Sequence, residues 1–129
     1  MRLERELSAS PEAASLARHA LDGLAPAVPD GRLRDVQLLV SELVTNAVRH
    51  ADLHAGDVIR LVVELAERAL RVEVHDPGGG FVPSAPSPDP ARPSGWGLYL
   101  VAELSDRWGV HSDDATLVWF ELDRPAAAG

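Results

Sequence analysis

The 129-residue chain has no cysteine, no lysine, one methionine, and few aromatic residues: three Trp, one Tyr and two Phe. Without cysteine there is no disulfide framework, no thiolate metal cluster and no thiol nucleophile. Without lysine there is no phosphate-gripping P-loop lysine and no Schiff-base chemistry. All twelve basic residues are arginines. No run approaches the ~18 apolar residues of a membrane span, and the start, Met1-Arg2-Leu3-Glu4-Arg5-Glu6, is charged. The expectation is a cytoplasmic protein without membrane attachment. Twenty Asp and Glu give a net charge of −8, which disfavours non-specific contact with nucleic acid or an anionic bilayer. A basic partner or a metal-chelated anion suits that charge better. The length fits one domain, 1–129, with a single core.

What is present is periodic. Behind Ser10-Pro11, a capping hydroxyl and a first-turn proline, apolar residues recur at Ala13, Leu16, Ala17, Ala20, Leu21 and Leu24, which predicts a helix over 11–24. A second stripe through Leu33, Val36, Val40, Leu43, Ala47 and Ala51 predicts a longer helix over 32–51. Glu42, Asn46 and His50 lie four apart, in one row at the margin of that stripe. The period then changes to two. Ile59, Leu61, Val63 and Leu65, then Leu70, Val72 and Val74 beyond a short connection, predict a hairpin. Parity places Asp76 on the face of Leu70, Val72 and Val74, which should meet the helices. A carboxylate there needs a partner.

Pro77-Gly78-Gly79-Gly80 ends the second strand, and 81–94 holds five prolines, a loop long enough to need a reason. Gly95-Trp96-Gly97 leads into Leu98, Leu100, Val101 and Leu104, a third helix to about Asp106. Stretches 108–112 and 116–122 predict a closing hairpin around Asp113-Asp114, and 125–129 a frayed tail.

Three groups here carry chemistry, and each has a plainer reading beside it. The Glu42, Asn46, His50 row is either a solvated helix edge or a site in which an amide oxygen holds a hard cation and a carboxylate one turn away handles a proton. Asp76 ahead of three glycines is either a turn after a strand or, on the core face, the acceptor for a buried donor such as an exocyclic purine amine. Gly95-Trp96-Gly97 is either a hinge after the proline loop or a helix start whose free N–H groups attract phosphate.

Their order narrows these alternatives. Ser41-Glu42-Leu43-Val44-Thr45-Asn46-Ala47-Val48-Arg49-His50-Ala51, then Asp76-Pro77-Gly78-Gly79-Gly80-Phe81, then Gly95-Trp96-Gly97-Leu98 resemble the N box and the two glycine boxes of the GHKL, or Bergerat-fold, ATP-binding superfamily. Leu104-Ser105-Asp106-Arg107-Trp108-Gly109-Val110 and Val118-Trp119-Phe120-Glu121-Leu122 are similar to its small bacterial anti-sigma-factor serine/threonine kinases.

That resemblance implies a two-layer α/β sandwich, with a mixed, mostly antiparallel sheet covered on one face by helices and ATP between the layers. It implies Glu42 as general base, Asn46 as ligand of Mg²⁺, and Asp76 as acceptor of the adenine amine, with Gly78 and Gly80 leaving room for the base. It implies 81–94 as the lid, Gly95, Gly97 and Leu98 as phosphate-binding backbone, and His50, with Arg49 as competitor, near the phosphates. The implied partners are a sigma factor and an anti-sigma antagonist, and the resemblance admits a homodimer. The closing turn at 113–117 lacks the Gly and Lys often found there. An alternative implication is a nucleotide-gated binding module with little catalysis, its lid carrying only Asp89 and Arg92 as charges.

Overall fold

Alternation builds the sheet. Strand β2 (Val58–Leu65) buries Ile59, Leu61 and Val63, with Val62 between them buried as well, and strand β3 (Ala69–Asp76) buries every even residue, Leu70, Val72, Val74 and Asp76. These two form the expected hairpin, with Leu61 opposite Val74 and Val63 opposite Val72. This is a computed structural model that describes residues 1–25, 27–50, 57–78 and 96–124, with His50, Trp96 and Gly97 described by their backbone alone.

The sheet is completed by β1 (Arg2–Ser8), β4 (Arg107–Ser112) and β5 (Thr116–Asp123), in the order β1-β2-β3-β5-β4. Expected as mixed and mostly antiparallel, it is antiparallel in all four described pairings. Strand β1 is not anticipated by the alternation rule. It buries only Leu7, and its charged residues are tolerated because it forms an edge, held along its length by β2. Strand β4 begins at Arg107, one residue before the expected start, because Arg107 already pairs with Glu121 in the ladder.

The helical layer covers one face. Helix α1 (Ala13–Ala20) is shorter than predicted and passes into a 3₁₀ turn, Leu21–Leu24. Its N-cap is Glu12 and makes no side-chain cap; the expected Ser10 contributes its carbonyl instead, accepting the Ala13 N–H at 3.1 Å. Leu16, counted in the apolar stripe, faces outward. Helix α2 (Asp30–His50) starts two residues early, and position 51 lies outside the described residues. Helix α3 (Trp96–Leu104) stops two residues before the predicted end. Buried Val36, Leu39, Val40, Leu43 and Val44 of α2 meet Phe120 and the even residues of β3 in one continuous core.

The opposite face of the sheet carries a ladder of charges. Arg71 donates to Glu73 and Glu121, Arg107 donates to Glu121 and Asp123, and His75 pairs with Glu73. The Arg71 guanidinium lies 4.4 Å over the Trp119 ring. Gly109 lets the indole lie flat on β4, because a Cβ there would sit 2.7 Å from the Trp119 Nε1.

Candidate functional site

The end of β3 is the centre of the site. Asp76 is only 8% exposed, because its even parity carries it to the helix-facing side. Its Oδ1 accepts the Gly78 N–H at 2.9 Å, an aspartate turn that closes on itself across Pro77. Gly78 in turn offers its carbonyl to the Thr116 hydroxyl at 2.6 Å. Thr116 is the register partner of Asp76 on β5 and is 5% exposed. Its one hydroxyl proton goes to Gly78, so in the 3.1 Å contact with Ser112 Oγ the serine is the donor.

Among the described residues, Asp76 Oδ2 makes no hydrogen bond, and unlike the Ser41 hydroxyl it is not fully enclosed. Burial pushes the Asp76 carboxyl above its ordinary value, and the Gly78 N–H pulls it only part of the way back. A carboxylate in that position is disfavoured until a second donor reaches it. An exocyclic amine on a flat heterocycle is such a donor, and Gly78 adds no side chain to obstruct it.

Helix α2 supplies the second part. It packs against β3, which carries Asp76, and against α3. Buried Leu43, Val44 and Ala47 hold it down, while Glu42 and Asn46, one turn apart, stay half-buried at the edge of that contact. Among the described residues no three His, Asp or Glu cluster to hold a metal by themselves. An amide oxygen such as that of Asn46 is a hard donor of the kind Mg²⁺ takes beside waters and substrate phosphates.

Helix α3 supplies the third part. Its first N–H groups have no partner within the helix, and a helix N-terminus favours an anion. The Leu98 side chain is 6% exposed and belongs to the core, so only its backbone remains for a ligand. Gly97 lies in the same first turn. Gly80, Gly95, the 81–94 segment and the His50 side chain lie outside the described residues. Arg49 is exposed.

Thr116 and Ser112, which hydrogen-bond onto the Asp76 turn, are not singled out by the sequence. The available signal was parity. Val118, Phe120 and Leu122 share a face on β5, and a threonine heading that series, directly across from Asp76, is a polar residue where the pattern calls for an apolar one.

A helix bearing Glu and Asn, a buried strand-end Asp-x-Gly, and a glycine-containing helix start follow one another along a chain whose residues 7–122 match the model of the histidine kinase-like ATPase domain. The chain belongs to this family. As a histidine kinase-like ATPase domain it is similar to the serine-protein kinase RsbW of Staphylococcus aureus strains bovine RF122 / ET3-1 and MRSA252. Each is 31% identical over 132 residues, covering 90% of this chain and 82% of the relative. In fold, the domain resembles the crystal structure of the RsbU and RsbW domains of Rv1364c from Mycobacterium tuberculosis, with a TM-score of 0.74 and 22% identity. That likeness covers 98% of this chain but 33% of the other, so this domain spans about a third of that protein. Among the described residues, no helix is long and apolar enough to cross a membrane.

Proposed function

We propose that the chain is an ATP-dependent protein serine/threonine kinase that holds a sigma factor and phosphorylates a serine or threonine of an anti-sigma antagonist. The observation that carries this reading is Asp76, a carboxylate buried beneath the helical layer with one internal hydrogen bond. The family and the similarity to serine-protein kinases support it.

Each part of the site has a task. Asp76 Oδ2 accepts the adenine amine, and its turn with Gly78 fixes that oxygen in place. Guanine presents a carbonyl where adenine presents the amine, so the same carboxylate repels it. Asn46 would hold Mg²⁺, which cancels charge on the phosphates when bound. Glu42 orients the attacking hydroxyl and takes its proton. The first N–H groups of α3, at Gly97 and Leu98, face the phosphates. Phosphoryl transfer asks mainly for such positioning and charge cancellation, which is why a chain without lysine can do it.

The test is phosphotransfer. With Mg-ATP and the cognate antagonist, label should appear on a serine or threonine of the antagonist. Glu42→Ala should abolish transfer while nucleotide binding persists. A verified antagonist that stays unlabelled, with partner control unchanged in Glu42→Ala, makes the chain a nucleotide-gated binding module instead.

A further inference from the structure

The end of the sheet remote from Asp76 contains a cavity of about 560 Å³. Leu70 at the start of β3 and Leu122 at the end of β5 lie about 20 Å from Asp76, six residues along the strand. Together with Val28, from the segment leading into α2, they make an apolar floor. The rim is formed by Arg32, Asp123 and Arg124. A volume of this size is that of a small-molecule site.

The mouth is built. The Arg124 guanidinium donates to the carbonyl of Ala66, in the β2–β3 turn, and to that of Ala27 at 3.4 Å, while its backbone N–H donates to the Arg68 carbonyl at 2.9 Å. One side chain thereby ties the segment before α2 to the hairpin and sets the width between them.

The rim is also unbalanced in charge. Asp123 accepts from Arg107 Nη2 at 2.5 Å, so this carboxylate is already paired. Arg32 acts on Asp123 only across space, and among the described residues its guanidinium makes no hydrogen bond or ion pair within 4 Å. Two guanidinium groups therefore face an apolar cavity with one carboxylate that a third arginine already holds.

We propose that this cavity binds a small organic acid with a single carboxylate and an apolar body, the body resting on Val28, Leu70 and Leu122 and the carboxylate meeting Arg32. A phosphosugar or free nucleotide would leave polar groups unpaired against that floor. An uncharged hydrocarbon would leave Arg32 unused. The site is separate from the nucleotide site, so its ligand and Mg-ATP bind together without competing.

The test uses the full chain and hexanoate as probe, followed by methyl resonances in a carbon–proton correlation spectrum. Hexanoate should shift the methyls of Val28, Leu70 and Leu122 saturably, with a dissociation constant on the order of 1 mM. 1-Hexanol, which has the same body without the charge, should bind at least about tenfold more weakly. Arg32→Gln, a change at an exposed position, should bring hexanoate down to the level of hexanol and leave hexanol unchanged. Absence of saturable shifts at those methyls by about twentyfold that concentration overturns the proposal. So does equal binding of hexanol, or an Arg32→Gln chain that binds hexanoate as before.

Discussion

Asp76 is buried and only partly hydrogen-bonded, and this single side chain sets two opposite demands on the protein. For folding, ionisation there is a burden. Because burial raises its proton affinity, the native state binds the proton more tightly than the unfolded chain, so this group's contribution to stability falls as pH rises above the ordinary 3.8. For nucleotide binding as proposed, the charge is needed, since the carboxylate would accept an amine proton. ATP affinity should therefore drop on acidification through a pH above the usual aspartate range, and Asp76→Asn should flatten that profile. The same substitution keeps an oxygen for the Gly78 N–H, so melting at pH 7 should be equal to or above that of the parent. ATP binding should weaken roughly 10- to 100-fold, the value of a hydrogen bond to a charged group. Calorimetric titration and thermal melts, run side by side, check both.

A second residue-scale prediction concerns Gly109. Its missing Cβ would lie 2.7–2.9 Å from three atoms of the Trp119 indole, and Arg71 covers that ring at 4.4 Å. Gly109→Ala should displace the indole, destabilise by about 1–3 kcal/mol, and change tryptophan emission. Unchanged stability would mean that the ring has room to move.

Among the elements, β4 is an edge strand, and its ion pairs tether it to β5. Glu121 takes hydrogen bonds from both Arg107 and Arg71. The Arg107 bond does most to hold its carboxyl below the ordinary 4.5, burial opposes, and Arg71 adds to the lowering. At Glu73 burial pushes upward, and hydrogen bonds from His75 and Arg71 outweigh it. Both carboxyls give up protons more readily in the native state, so they contribute stability above pH 4.5 that is lost as pH falls below it. Glu121→Gln should make acid unfolding less steep in that range and lower stability at pH 7 by about 1 kcal/mol, since the network is partly exposed. Faster amide exchange along β4 with β2 unaffected is the expected local signature.

The elements that hydropathy made legible are those with a buried face. The β2–β3 hairpin, the α2 stripe and the closing hairpin all follow from apolar spacing, and the parity of Leu70, Val72 and Val74 by itself puts Asp76 on the buried side. Strand β1 was illegible because an edge strand with one buried residue has no alternation to read. Ser10 was read as a cap from its residue type, yet the chain turns there through its backbone carbonyl. Thr116 was missed because its role depends on which residue it faces across the sheet, and pairing between β3 and β5 spans forty residues of sequence. Glu42 and Asn46 are legible as a row on a helix, whereas the packing of that helix on β3 and α3 is a tertiary fact.

At the level of the whole molecule, a protein of net charge −8 binding a polyanion needs the repulsion cancelled locally. With no lysine available, the positive side on the proposed reading comes from helix N-terminal N–H groups and from a divalent cation that Asn46 would hold. Helix α2 packs on both β3 and α3, and on the proposed reading the sheet offers Asp76 to the base while the helices offer Glu42, Asn46 and the α3 start to the phosphates. Both layers are needed, so a fragment without α2 should not bind nucleotide at all.

The most direct test is one calorimetric titration series of ATP into the parent chain, with and without Mg²⁺, repeated with GTP and with Asp76→Asn. The account predicts saturable one-to-one binding of Mg-ATP, at least about tenfold weaker binding when Mg²⁺ is removed, and weaker binding again for GTP and for the Asp76→Asn chain. Equal affinities for ATP and GTP, indifferent to Asp76, would contradict it.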